Sequence, residues 1–257
     1  MDTEEPAKSE PDPTRALELL WSGRLPKPAR GPDRGLTLVQ ITTAAAATAE
    51  ADGLDALSMR KVAARLGVGV ASLYTYVPGR SALLALMLDT FIADAPLPHT
   101  VPGTWRAQIE VWARADWASF RSRPWLLRLA TVRPLLGPNL LRWYESALRV
   151  LARTPLTTAE RVAAVETIDG YVHGSARAAV DSAGADAAWE AAHVRFVNSV
   201  VDFDQYPLWA EAAVGGHLGD HEAHFEFGLR RILDGIEAHI ERSAGPAGPD
   251  AAADPAG

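Results

Sequence analysis

Apolar residues recur along this chain at helical spacing, in blocks separated by Pro and Gly. Residues 12–22, DPTRALELLWS, predict a short helix with Asp12 as cap, Pro13 at the first position and Leu17, Leu20 and Trp21 on one side. A helix that short needs a surface to dock on. Residues 24–35, RLPKPARGPDRG, mix Pro and Gly with Arg24, Lys27, Arg30 and Arg34 and predict an extended basic arm. From Thr37 the pattern turns helical: Thr37 and Gln40 make a capping box, and Asp52-Gly53 stops the helix. Ser58 caps a second helix with Val62, Ala63 and Leu66 on its apolar face and Gly67 at its end. A third runs from Val70 to Val77, ended by Pro78-Gly79, and Ser81 caps a fourth, SALLALMLDTFIAD, which breaks at Pro96 and Pro98. Longer helices follow, with breaks at Pro102-Gly103, Arg123-Pro124, Gly137-Pro138, Thr154-Pro155, Gly184 and Gly215 to Gly219. No segment alternates with the period of a strand, so the expectation is an all-α fold. The last fifteen residues, SAGPAGPDAAADPAG, form a compositional tail.

Composition narrows this picture. Of 257 residues 48% are hydrophobic and 22% charged, enough for a sizeable core. The absence of cysteine excludes disulfides, thiolate zinc sites and a cysteine nucleophile. The start, MDTEEPAKSEPD, lacks a secretory pattern, and no apolar run is read as reaching the ~18 residues of a membrane span. A cytoplasmic protein is expected. The net charge of −7 is unevenly distributed: residues 1–23 carry −4, residues 24–80 carry +4 and residues 81–257 carry −7. A positive block between acidic ones is the footprint of a polyanion partner, once a motif supports it.

The motif lies in that block. Residues 58–77, SMRKVAARLGVGVASLYTYV, place a short helix, a Gly67-Val68-Gly69 turn and a second short helix in the spacing of a helix-turn-helix. Ala63 is small where the helices would cross, Gly67 tolerates positive φ, and Leu73 and Val77 would pack inward. The other side presents Ala71, Ser72, Tyr74 and Thr75, with Tyr76 near the edge, a set suited to phosphates and base edges. An ordinary helical hairpin has the same pattern, and Tyr74 and Tyr76 would also serve as core aromatics.

Residues 36–91, and above all LSMRKVAARLGV followed by SLYTYVPGRSALL, resemble the DNA-binding domain of TetR-family transcriptional repressors. HFEFGLRRILDGIEAHI is similar to the closing helix of tetracycline-repressor-like C-terminal domains. The resemblance implies that Arg60 reaches a base edge or phosphate and that Val70, Ala71 and Thr75 face bases through thymine methyls. It implies phosphate or base-edge contacts for Ser58, Ser72, Tyr74 and Tyr76, a backbone contact for Arg80, and a phosphate contact for Thr37. The recognition helix has no Arg, Lys, Asn or Gln, so specificity would lean on Arg60, methyl contacts and DNA shape. The arm at 24–35 would add a minor-groove contact or serve only as a linker.

In the C-terminal region Trp105, Ile109, Trp112, Asp116 and Phe120 fall on one helix face, with an acid inside an aromatic stripe. That suggests a ligand-facing carboxylate, an Asp–Arg pair in the core, or a face that meets solvent there. Trp143, Trp189 and Trp209 add aromatic surface for a cavity, and Asp169, His173 and Arg177 form a ladder that would orient a polar ligand. His217, Asp220, His221 and His224 are dense enough to raise a metal site, but the glycines around them favour a loop, so no metal or cofactor is expected. Phe225, Leu229, Ile232, Ile236 and Ile240 make a stripe on the final helix, with Phe227 and Leu233 off it. Gly170, Gly174, Gly228 and Gly235 suggest close helix approach in a homodimer.

The expected organisation is an N-terminal extension (1–35), a three-helix helix-turn-helix domain (36–94), a larger helical ligand-binding and dimerisation domain (95–242) and a tail (243–257). The expected function is a dimeric repressor that binds double-stranded operator DNA and is released by an apolar or aromatic effector, with no membrane partner. The rivals are a ligandless DNA-binding regulator and an all-α enzyme using Asp116, Asp169 and His173.

Overall fold

The computed structural model describes residues 13–23, 35–131, 135–184 and 186–244, all helices and connections, with no strand among them. They divide into two compact units, one of residues 1–96 and 123–145, the other of 97–122 and 146–257. The chain therefore crosses between units after Pro96, Ser122 and Glu145.

In the first unit α1 (Thr14–Ser22) buries Ala16, Leu19 and Leu20 and supports the core. It starts at Thr14, with Pro13 rather than Asp12 at the cap; Asp12 lies outside the described residues. Trp21 donates its indole N–H to the Leu136 carbonyl at 3.0 Å. The next helix, α2 (Leu38–Asp52), opens on the expected capping box and buries Ile41, Ala45 and Ala49 together with Thr42 and Thr48. Those two hydroxyls donate back to Leu38 and Ala44 carbonyls, which lets them sit in an apolar core. After α2 come α3 (Met59–Leu66) and α4 (Val70–Tyr76), then α5 (Arg80–Asp94). Gly79, not Ser81, caps α5, so that helix begins two residues earlier than expected.

The stretch Arg80–Thr100 is long and apolar enough to cross a membrane, with mean hydropathy 1.3, contrary to the sequence expectation. Its Leu83, Leu86 and Met87 are core residues of the first unit.

Helix α6 (Trp105–Ser122) belongs to the second unit, α7 (Pro124–Thr131) to the first, and α8 (Pro138–Leu151) runs through the last crossing. Arg128 on α7 grips Asp55 with two 2.7 Å bonds. Asp89 on α5 is buried and accepts the Asn139 and Leu140 backbone N–H groups (both 3.1 Å) and the Asn139 side-chain amide (2.8 Å). A carboxylate thus closes the positive start of α8. A Cβ at Gly137 would overlap that carboxyl, so the position is held to glycine by contact.

The core of the second unit is α6 against α9 (Thr158–Ala183) and α12 (His221–Ser243). Ile109, Ala113, Val165, Ile168, Val172, Ala176, Phe225, Leu229 and Leu233 fill it. Outside this core Arg106 pairs with Asp234 (2.6 Å) and Glu237 (2.7 Å), and Arg114 with Glu226 (2.7 Å). On α12 the inward line is Phe225, Leu229 and Leu233, so Leu233 belongs to the stripe, while Ile232, Ile236 and Ile240 are half-buried and Phe227 is exposed. Between α9 and α12, α10 (Ala187–Val200) and α11 (Pro207–Val214) bury no side chain at all.

Candidate functional site

The helix-turn-helix is built from short-range chemistry. Ser58 accepts the Lys61 N–H at 3.3 Å and starts α3, whose exposed side carries Arg60, Lys61 and Arg65. Gly67 takes φ 68°, and the Val68 N–H returns to the Ala63 carbonyl at 3.0 Å, closing the turn. Val62, Ala63, Leu73 and Val77 are fully buried where the two helices meet. Ala71, Ser72, Tyr74 and Thr75 are exposed on α4, and Val70 is half-buried at its start. Thr75 donates to the Ser72 carbonyl at 2.6 Å.

Two side chains differ from the expectation. Tyr76 is buried, 6% exposed, and belongs with the core aromatics; only Tyr74, at 47%, faces outward. Arg80 donates to the Leu57 (3.1 Å) and Leu54 (2.9 Å) carbonyls, so its guanidinium ties down the loop that leads into α3. Thr37 likewise spends its hydroxyl and N–H on the capping box with Gln40. Arg65 was not singled out from sequence, although it is exposed on α3 one turn beyond Lys61. The basic arm lies outside the described residues but for Gly35.

A second cluster lies between α6 and α9. Trp112 donates its indole N–H to Asp116 at 2.6 Å. Burial pushes the Asp116 carboxyl up to about 7; nearby Asp169 adds to this, while Trp112 and His173 oppose it. His173 Nδ1 lies 2.9 Å from the Asp169 carbonyl and 3.2 Å from its carboxylate, both acceptors, so Nδ1 carries the proton. Burial works to lower the His173 pKa, but the hydrogen bond to Asp169 and the charges of Asp169 and Asp116 outweigh it and hold the ring above its ordinary value. Phe120 lies 4.7 Å from the imidazole, and Trp117 stacks on Phe225 at 4.5 Å. His173 Nε2 and Trp117 Nε1 are buried without a hydrogen-bond partner among the described residues. The cluster therefore combines an aromatic face, a carboxyl that is readily neutral and, at His173 Nε2, an unsatisfied buried polar atom.

Other expected members are elsewhere. Arg177 leaves the ladder: its side chain is 61% exposed and lies 3.8 Å from Asp181 in solvent. Trp143 is buried in the first unit, edge-on to Tyr144 at 5.5 Å. Trp189 and Trp209 line no interior; they are 62% and 49% exposed. No group of three or more metal-ligating side chains converges among the described residues. His217 lies in a short 3₁₀ turn, and His221 and His224 open α12 with ring centroids 6.3 Å apart.

An exposed helix-turn-helix in one unit and a buried polar cluster in the other define a DNA-binding regulator with a separate C-terminal unit. The family of bacterial regulatory proteins named for tetR matches residues 41–87, and the tetracyclin repressor-like C-terminal domain matches 97–240. The HTH-type transcriptional repressor DrrR1 of Streptomyces coeruleorubidus is 41% identical over 247 residues, covering 93% of this chain and 90% of its own. An HTH-type transcriptional regulator of Saccharopolyspora erythraea is 32% identical over 212 residues, covering 79% and 85%. Among solved structures, apo ActR of Streptomyces coelicolor superposes with TM-score 0.70 at 28% identity, covering 84% of this chain and all of its own. ActR in complex with actinorhodin also gives 0.70 at 28%, covering 80% and 97%. This chain belongs to the TetR family. It is a helix-turn-helix transcriptional repressor and not an enzyme, so the acid–base reading of Asp116, Asp169 and His173 falls away.

Proposed function

We propose that the chain represses as a homodimer and leaves its operator when a small, largely apolar or aromatic effector with one polar edge binds at α6 and α9. The observation that carries this is the Asp116–His173 cluster, where an aromatic face and an unpartnered buried His173 Nε2 occur together. An occupant that supplied the missing hydrogen bond would gain more from it there than in water. Trp112, Asp116, Phe120, Asp169 and His173 are the ligand residues of this reading. The ActR complex with actinorhodin supports it by likeness.

On the DNA side Arg60, Val70, Ala71, Ser72, Tyr74 and Thr75 face the operator, with Ser58 and Thr37 offering helix starts to phosphates. Residues 36–94 act as the reading domain and 95–242 as the effector and dimer domain. Two recognition helices need a dimer to meet half-sites about one DNA turn apart. The α9 and α12 helices suit that interface: a Cβ at Gly170, Gly174 or Gly235 would meet nothing within 4 Å, leaving those positions open to a partner. Gly228 is different, because Tyr171 of the same chain fills its place. The effector acts through its differential affinity for the form whose heads no longer match the operator spacing.

The test is a gel shift against DNA flanking the protein's own gene, in a salt series, with actinorhodin as first probe and a panel of planar aromatics behind it. Binding should weaken steeply with salt and be released by a compound that also raises Tm. Specific binding with neither release nor stabilisation by any compound would favour a ligandless regulator.

A further inference from the structure

Arg80 ties the two ends of the helix-turn-helix together. It is the first residue of α5, and α4 ends just before it at Tyr76. Its Nε donates at 3.1 Å to the carbonyl of Leu57, the residue before the α3 cap Ser58. Its Nη2 donates at 2.9 Å to the Leu54 carbonyl, which also accepts the Leu57 N–H at 3.2 Å. Leu54 and Leu57 are buried, so the loop they anchor is firmly seated. From the other side Arg128 on α7 holds Asp55 of the same loop. The contact of Val62, Ala63, Leu73 and Val77 is apolar and carries no direction, whereas a planar fork on two carbonyls fixes both distance and angle.

Arg80 is exposed, so its charge is open to a DNA phosphate, as the resemblance implies. The two carbonyl bonds select a different role. We infer that Arg80 is a positioning residue for operator reading: it holds the start of α3, and with it Arg60, in register with the exit of the recognition helix α4. Attraction to phosphate falls off slowly with distance, whereas a hydrogen bond to a base edge weakens steeply with distance and angle. Because base contacts carry the sequence information, Arg80 acts on specificity more than on affinity for DNA at large. The inference rests on the operator-facing surface proposed above and goes beyond it, since Arg80 is not one of the side chains assigned to that surface.

Arg80→Lys separates the two roles, because it keeps the charge and replaces the fork by a point donor. The full chain and this variant are titrated by fluorescence anisotropy, in a salt series, against DNA flanking the protein's own gene and against a scrambled duplex of equal length. Arg80→Lys should weaken binding to the flanking DNA at least about tenfold, hold the scrambled duplex within about twofold and leave the salt slope unchanged. If Arg80 meets a phosphate instead, Arg80→Lys should bind both duplexes as the wild type does, and Arg80→Ala should lower the salt slope by about one. That result would overturn the inference. Circular dichroism gives the folded fraction at the assay temperature, so that affinities are expressed per folded molecule. An equal loss on both duplexes, or a loss that vanishes on this correction, would mean that Arg80 only stabilises the fold, and would overturn it too. If the wild type itself does not distinguish the two duplexes, the operator reading falls and takes this inference with it.

Discussion

The DNA-reading head and the α6–α9 cluster treat polarity in opposite ways. In the head the hydroxyls of Ser58 and Thr75 are bonded within three residues of themselves, and aliphatic Val62, Ala63, Leu73 and Val77 close the helix crossing. Water can cover its exposed groups until a duplex displaces it. The α6–α9 cluster joins residues more than fifty positions apart and keeps His173 Nε2 buried and unbonded among the described residues. Such an atom costs about 1–3 kcal/mol. The difference teaches that a surface for a large polar partner can be complete beforehand, whereas an interior cluster can keep a polar atom unsatisfied, which is the feature the proposed effector would use.

The sharpest way to break this comparison is to damage the complete surface from behind. Leu73 is fully buried between α3 and α4, and Leu73→Ala should cost about 2–5 kcal/mol. Operator binding in a gel shift should disappear even though no DNA-facing side chain has changed. Retained affinity with normal thermal unfolding would mean that the head does not depend on this packing.

Next in size is a test of the incomplete site by pH. Asp116 rises from 3.8 to about 7 on folding, so its contribution to stability is present below 3.8 and is lost as pH climbs toward 7. His173, also raised, acts with the same sign at higher pH. Asp116→Asn keeps an acceptor for Trp112 and removes the titration. Relative to wild type it should gain stability between pH 4 and 7, by at most about 4 kcal/mol for a shift of about three units. Denaturant unfolding across that range measures it, and parallel wild-type and variant curves would contradict the buried carboxyl.

The same contrast explains what could be read from sequence. Thr37 with Gln40, Ser58 and Gly67 act on neighbours within four residues, and each does what its local pattern implies. The stripe on α6 is also local, so the enclosure of Asp116 beside Trp112 was legible, as was the Asp169–His173 pairing one turn apart. Arg80 was not, because its partners are carbonyls more than twenty residues upstream. Asp89 was missed for the same reason: the helix start it closes begins fifty residues later. Trp189 and Trp209 read as cavity walls because aromatic content favours burial on average. Nothing local distinguishes a buried aromatic face from an exposed one. Arg177 shares the helical step of Asp169 and His173, but the extra turn carries it out to solvent.

The smallest expected effect separates two adjacent cations on α3. Arg60 is exposed with no ion pair among the described residues, whereas Lys61 is held 2.7 Å from Asp52, both about half exposed. Arg60→Ala should weaken operator binding by about 1–3 kcal/mol if it reads a base, or lower the salt slope by about one if it meets a phosphate. For Lys61→Ala the released Asp52 carboxylate adds a weak, solvent-screened repulsion of phosphate that removing Asp52 as well would cancel, and an exposed pair of this kind contributes about 0–1 kcal/mol to stability. Its affinity loss and its unfolding shift should both be minor. The double variant Lys61→Ala with Asp52→Ala sharpens the point. If Lys61 acts mainly through Asp52, the pair should bind DNA nearly as the wild type does. If it binds as weakly as Arg60→Ala, then Lys61 meets the backbone despite its partner, and the reading surface extends further along α3 than Arg60.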